Sequence, residues 1–434
     1  MRRLYIWLIL LVSCPVAALG VERFPPPDFT SGYRIKVPTI PPARADIFGY
    51  IDIAILTLAL GLAAYLVIWR RSRSGIVLLT IFSLIYFGFY RHGCICPIGA
   101  IQNTALAIGS PGYSLPMIAA VFLLLPILFT LFFGRVFCAA VCPLGAAQDV
   151  VLRKPLNIPA WLTQPLSLIP WIYLGAAVLF AFTGTAFIIC EYDPFVSFFR
   201  LSGGTLMLSV GAGMLAISVF VGRPYCRFLC PYGALLRLVS PFAKWRITIT
   251  PDKCVQCRLC EKSCPFGEIR IPTPEDNPGG RKEGKKRLII WLSLLPVVIA
   301  IGAAAGHLSG SGLARANYDV KLASQLWNKA QKSPGVPADE ITAFQKTGKP
   351  NAVAYEKALE ITGKFKMGGT LLGGWIGLVI GIKMIMLSIR RRRIDYEADS
   401  AGCIGCGRCY SSCPVEQSRF KDLESIKLLE GKND

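Results

Sequence analysis

Two stretches of the chain, CVQCRLCEKSCP at 254–265 and CIGCGRCYSSCP at 403–414, follow the pattern C-x2-C-x2-C-x3-C-P. This is the run by which bacterial two-cluster ferredoxins bind [4Fe–4S] centres. A short loop wraps three thiolates around one cubane, and the fourth cysteine reaches across to the other. By that crossing rule Cys254, Cys257 and Cys260 join Cys413, while Cys403, Cys406 and Cys409 join Cys264. Thiolates suit iron because they are soft, strongly donating ligands. Structural zinc is the alternative for a cysteine set, but it favours paired C-x2-C knuckles over this spacing.

A second pattern lies beside the hydrophobic segments. GRVFCAAVCPLGA at 134–146 and GRPYCRFLCPYGA at 222–234 share Gly, Arg, both Cys, Pro, Gly and Ala at matching positions. Thiols at i and i+4 lie on one face of a helix. The proline suits a first turn or a break, and the glycine permits close backbone approach. Cys138, Cys142, Cys226 and Cys230 are therefore expected to converge as a metal or iron–sulfur centre at the inner face. The alternative is that they pack as small apolar residues. Arg135 and Arg223 are expected at lipid-headgroup level. A shortened phrase, GCICPIGA at 93–100, supplies Cys94 and Cys96, and CEYDPF at 190–195 supplies Cys190. With Glu191, Asp193 and His92 nearby, these three form a second candidate centre, at the outer face. A disulfide or isolated thiols in an oxidising compartment account for them equally well.

Such cysteines need elements to position them. Of 434 residues 53% are hydrophobic, and the formal net charge is +21. The basic runs punctuate apolar stretches instead of lining one soluble domain, which argues against nucleic-acid binding and for a polytopic membrane protein. Sixteen cysteines there point to cluster ligation more than to disulfides. His92 and His307 are the only histidines and no C-x-x-C-H occurs, so no haem is expected.

Residues 1–20 read as a signal peptide or an anchor, with a lipoprotein-like box ending at Cys14, and 21–47 as an exported proline-rich tether. Seven apolar segments follow, near 48–69, 76–90, 115–133, 166–189, 203–221, 288–306 and 368–388. Each approaches the length that crosses ~30 Å of hydrocarbon. Placing the cationic runs at 70–74, 281–287 and 390–393 in the cytoplasm alternates correctly with every span. The expected architecture is an all-α polytopic membrane bundle with a split bacterial-type ferredoxin domain on the cytoplasmic side. Its parts are a membrane core at 48–250, ferredoxin halves at 251–287 and 391–434, and a membrane hairpin at 288–390. The hairpin encloses an exported loop, 307–367, with helical stretches near 319–332 and 351–366.

The ordered series GCICPIGA, FCAAVCPLGAAQD, CEYDPF, YCRFLCPYGALL and two ferredoxin runs resembles the NosR/NirI family and its polyferredoxin-like, NapH-related members. The resemblance covers roughly 48–434. It implies a multi-pass protein of the bacterial inner membrane, with two [4Fe–4S] clusters on the eight ferredoxin cysteines, supporting a periplasmic reductase of the nitrous oxide reductase type. Full-length members attach a flavin to an exported domain through a threonine in an S-G-A-T-like motif. No such motif occurs here, so flavin is expected only from a partner subunit. Expected partners are membrane lipid, a periplasmic redox protein or flavoprotein, and quinol or a cytoplasmic ferredoxin. Two alternatives remain: a copper reductase of the cytochrome-oxidase-assembly type, and a membrane redox-sensing regulator.

Overall fold

The computed structural model describes residues 46–93, 97–110, 112–156, 158–200, 204–249, 254–273, 278–330, 341, 344–346, 348–388, 393 and 395–418. All but the first of them belong to one unit, Ile47–Asp434. The expected signal segment and tether, Cys14, Cys94 and Cys96 lie outside the described residues.

The bundle is helical, and among the described residues five helices are long and apolar enough to cross a membrane: Ile47–Trp69, Arg73–Tyr90, Trp161–Phe182, Gly284–Ala314 and Asn351–Ser388. At 1.5 Å per residue, ~20 residues cover the hydrocarbon thickness. A sharply bent pair, Pro194–Arg200 with Thr205–Ser218, makes a sixth if counted as one span. All seven segments expected from hydropathy are helical, two of them outside the five. The segment near 115–133 is the helix Met117–Phe133, apolar but only 17 residues long and with Pro126 inside it. It ends where Gly134 adopts φ 71° and redirects the chain into the first cysteine phrase.

The two hairpin helices, Pro278–Ala314 and Asn351–Ser388, are far longer than the apolar stretches they contain. The stretch near 351–366 is continuous with the last span, whereas Tyr318–Ala330 forms a separate helix. The hairpin closes through small residues. A Cβ on Gly306 would run into the Gly369 carbonyl, and one on Gly302 into that of Gly373. Close backbone approach of this kind is the usual basis of helix association in lipid, where burial of apolar surface gives no driving force.

That packing brings the two ferredoxin halves together, although the hairpin separates them in sequence. Ile269–Arg270 pairs antiparallel with Glu397–Ala398, in the register Ile269 opposite Ala398. Ser263 Oγ donates to the Arg408 carbonyl at 3.4 Å, and the Asp399 amide to the Glu268 carbonyl at 2.8 Å. The ferredoxin domain is split in sequence and single in space.

Candidate functional site

The first ferredoxin run wraps tightly because alternate residues between its cysteines adopt left-handed backbone. Gln256 has φ 49° and Arg258 φ 61°, and the matching positions of the second run are Gly405 at 80° and Gly407 at 76°. Glycine adopts this conformation freely, whereas other residues lose roughly 1–2 kcal/mol there. The second run therefore has the residues its turn demands, and the first is strained at both positions.

Cys254, Cys257, Cys260 and Cys413 line one cavity of about 380 Å³, with Ile249, Tyr396 and Val415 among its walls. Cys264 leaves its own run and stands within electrostatic reach of Cys403, Cys406 and Cys409. The last cysteine of each run thus lies with the first three of the other. Burial pushes the Cys403 thiol up to about 12 and the Cys409 thiol well above its ordinary range. Thiols so placed ionise only against a cation held among them. Among the described residues no group of three or more His, Cys, Asp or Glu closes tightly enough around a single metal ion. Four thiols lining one open space suit a cubane, which is wider than a single ion.

The repeated phrases meet in the membrane core. Cys138, Cys142, Cys226 and Cys230 line a cavity of about 450 Å³ together with Pro97, Ile98, Gly145 and Gly233. The local geometry differs from two thiols on one helical face. Phe137–Val141 is a single π-helical turn and Pro224–Phe228 a short helix, and each ends before the second cysteine. Cys142 (ψ 117°) and Cys230 (ψ 112°) are extended, because the following proline excludes helical backbone at the residue before it. Each then caps the helix that its proline begins, Pro143–Val151 or Pro231–Val239, and Cys230 Sγ accepts the Gly233 amide at 3.3 Å.

Arg135 and Arg223 face protein and not lipid headgroups. They are 6% and 2% exposed, and each crosses to the opposite repeat. A Cβ on Gly145 would lie 3.0 Å from an Arg223 terminal nitrogen, and one on Gly233 would lie 3.6 Å from an Arg135 terminal nitrogen. Gly145 thus makes room for the arginine of the other phrase, whereas Arg135 passes Gly233 at ordinary contact distance. Arg223 donates to the Cys138 carbonyl and, at 3.2 Å, to that of Ala139. Arg135 donates to the Gly402 carbonyl at 3.2 Å, and its other terminal nitrogen lies 3.9 Å from Cys138 Sγ.

Three groups that sequence reasoning missed complete the site. Gln148, wholly buried, donates to Cys226 Sγ at 3.3 Å and accepts the Tyr225 amide at 3.1 Å. Asp149 pairs with Arg73 at 2.9 Å, Arg408 at 3.1 Å and Arg223 at 3.6 Å. Arg73 also donates to the Cys406 carbonyl at 2.7 Å. The only available signal was Gln-Asp directly after the first phrase, in GAAQD. This network fastens the second ferredoxin run to the repeat. Cys138 packs into one apolar cluster with Cys264, Cys406, Phe266 and Ile404, so the two cysteine groups are neighbours.

On the other side Cys190 is exposed, and its amide donates to Gln102 Oε1 at 3.4 Å. Gln102 occupies in GCICPIGAIQ the place of Gln148 in the first phrase. Tyr225 Oη donates to Asp193 Oδ2 at 3.2 Å, and Asp193 Oδ1 accepts the Phe195 amide at 2.9 Å. Little more than the Tyr225 side chain therefore separates the segment of Cys190 from that of Cys226, two groups expected at opposite faces. Cys94 and Cys96 lie outside the described residues, so the geometry of that trio is not defined.

Residues 115–159 and 203–250, which contain the two repeats, match a family described as "4Fe-4S binding domain", and a second family of that description matches 246–269. Three relatives indicate the protein class. The "Putative electron transport protein YccM" of Escherichia coli K12 is 32% identical over 125 residues, 26% of this chain and 34% of YccM. Uncharacterized protein MJ0750 of Methanocaldococcus jannaschii is 29% identical over 192 residues, 43% of this chain and 79% of that relative. Protein NirI of Paracoccus denitrificans is 30% identical over 121 residues, 27% of this chain and 18% of NirI. The chain thus spans about a third of YccM and under a fifth of NirI in these matches. No solved structure matches it.

Proposed function

We propose that this NirI-like iron–sulfur membrane protein relays electrons through its membrane core, between clusters on its ferredoxin domain and an acceptor or donor at the opposite face. The observation that carries the reading is that Cys138 and Cys264 both pack against the apolar cluster of Phe266, Ile404 and Cys406. It makes the ferredoxin cysteines and the four repeat cysteines consecutive stations. Cys254, Cys257, Cys260 and Cys413 would hold one [4Fe–4S] centre, and Cys403, Cys406, Cys409 and Cys264 a second. Cys138, Cys142, Cys226 and Cys230 would hold a third. Such a centre supplies reversible one-electron transfer.

The chain's own residues fix those stations. Prolines 143 and 231 set the second thiol of each repeat at a helix start, where the amide dipoles favour a thiolate. Gln148 orients Cys226 by a hydrogen bond to its sulfur. The aromatic and aliphatic walls Phe266, Ile404 and Phe137 exclude water between stations. Cys190, with Cys94 and Cys96, would form the exit toward a periplasmic reductase system, and quinol or a ferredoxin would serve the other end.

The test is metal content and transfer. Wild type should hold about twelve iron atoms per chain, and a variant lacking Cys138, Cys142, Cys226 and Cys230 about eight, as three and two cubanes require. In sealed proteoliposomes that variant should keep its ferredoxin signals and lose electron transfer across the bilayer. Equal iron and equal transfer in both proteins would reduce the repeat to packing.

Orientation follows from the charge runs. Residues 251–287 and 391–434 are assigned to the cytoplasm and 307–367 to the exported side. Cysteine labelling at positions 330 and 425 should therefore modify the two from opposite sides. Labelling of both from one side would overturn the assignment.

A further inference from the structure

Arg135 and Arg223 have placements that packing and ion pairing account for only in part. Both line a cavity of about 510 Å³ that shares Cys138, Cys226 and Cys230 with the four-cysteine cavity, which Arg135 lines as well and Arg223 adjoins through those shared residues. Their terminal nitrogens are engaged: those of Arg223 on the Cys138 and Ala139 carbonyls and Asp149, those of Arg135 on the Ala401 and Gly402 carbonyls and near Cys138 Sγ. The Nε atom of each is buried and has no hydrogen-bond partner. Leaving a buried donor unmatched costs about 1–3 kcal/mol, more when the group is charged. Arg91 and Arg408 have an unmatched Nε as well, but only Arg135 and Arg223 line the cavity of Cys138, Cys226 and Cys230, at matching positions of the two repeats, where an acceptor that the chain itself does not provide would meet them.

We propose that Arg135 and Arg223 donate through Nε–H to the sulfur atoms of the iron–sulfur centre held by Cys138, Cys142, Cys226 and Cys230, and thereby raise its affinity for an electron above that of the neighbouring ferredoxin site. The inference rests on the reading that those four cysteines hold such a centre. A cubane on four thiolates is anionic and gains further negative charge on reduction, so cations and N–H donors beside it favour the reduced form. In a water-poor core this effect is stronger than at a surface. Other charges face the same cavity. Arg227 and Arg237 add to the effect, Glu268 opposes it but is paired with Arg237 at 3.1 Å, and Asp149 offsets part of Arg223. The balance remains cationic. The electron gained at this centre is the one lost at the Cys264, Cys403, Cys406 and Cys409 site; no bond or proton changes hands.

The experiment uses the full-length protein in detergent, reduced stepwise with dithionite and followed by paramagnetic resonance. In wild type the third centre should be reduced at a higher potential than the ferredoxin centres. In Arg135→Gln and in Arg223→Gln it should bind its electron about tenfold more weakly, a shift of about 59 mV for a one-electron couple. Resonance Raman bands of its iron–sulfur stretches should shift in heavy water in wild type and shift less in each variant, a readout that a purely structural arginine would not alter. Arg223→Lys, which keeps the charge without the planar fork, should lie between. Unshifted potentials with undiminished heavy-water sensitivity in the glutamine variants would overturn the proposal, as would a third centre titrating below the others in wild type. Should Arg223→Gln fail to accumulate, Arg135→Gln decides. Wild type with eight irons would instead remove the parent reading, a result distinct from twelve irons with unmoved potentials.

Discussion

Replacing Cys413 with serine is expected to strip the cluster of Cys254, Cys257 and Cys260 and to spare the cluster of its own run. The four thiols line one cavity, although a membrane hairpin separates Cys413 from the other three. A serine hydroxyl is a hard, poorly donating ligand beside a thiolate, so iron held on three sulfurs is exposed and readily lost. Paramagnetic resonance of the single variants separates the signals. Cys413→Ser should remove the signal that Cys257→Ser also removes, with iron falling by about four atoms. Cys264→Ser should behave reciprocally, removing the signal that Cys406→Ser removes. If Cys413→Ser disturbed only the signal assigned to Cys403, Cys406 and Cys409, each run would be ligating its own centre and the crossing would be wrong.

Asp149→Ala is expected to be among the most destabilising single changes in the chain. The carboxylate is almost fully buried and faces Arg73, Arg223 and Arg408 within 3.6 Å. Removing it leaves three partly or wholly buried guanidinium groups uncompensated, and breaking a buried pair by deleting one partner costs about 3–5 kcal/mol. The pH dependence has a defined sign. Although burial opposes ionisation, the three arginines together outweigh it and pull Asp149 down to about 2 from its ordinary 3.8. Its folded pKa being depressed, this contribution is complete above about 3.8 and is lost as pH falls through about 2. Thermal unfolding of wild type and Asp149→Ala in detergent, at neutral and at acid pH, should show a gap that narrows below pH ~4. A gap independent of pH would mean that the residue acts by packing and not by charge. The same variant should loosen the second ferredoxin run from the repeat, since Arg73 bridges Asp149 and the Cys406 carbonyl.

Much of the centre's plan was readable from one dimension, and the reason lies in which interactions are local. The ferredoxin runs are recognisable because a cubane constrains three ligands within one short loop, so spacing alone records the chemistry. The hydropathy of Ile47–Trp69 and Arg73–Tyr90 identifies spans because lipid demands apolar length and little else. Even the nearness of Cys413 to a distant run follows the crossing rule. The number of spans was less readable. Met117–Phe133 is as apolar as its neighbours, but Gly134 stops it at 17 residues, and hydropathy does not register where a helix turns.

The cysteine repeat shows the division most clearly. Composition and spacing identified its four thiols, and the prolines at 143 and 231 already forbade helical backbone at Cys142 and Cys230, a local rule outweighed by the helical i, i+4 pattern. What only the tertiary structure decided is where the arginines go. Beside stretches of apolar sequence, Arg135 and Arg223 looked like headgroup contacts, because an isolated helix offers a guanidinium nothing but water or phosphate. Folding supplies another partner. The two repeats face each other, Gly145 admits Arg223, and Asp149 with the backbone carbonyls of Cys138, Ala139 and Gly402 replaces the lost water. Those contacts join residues about 80 to 270 apart in the chain, so they exist only once the bundle and both ferredoxin halves are assembled.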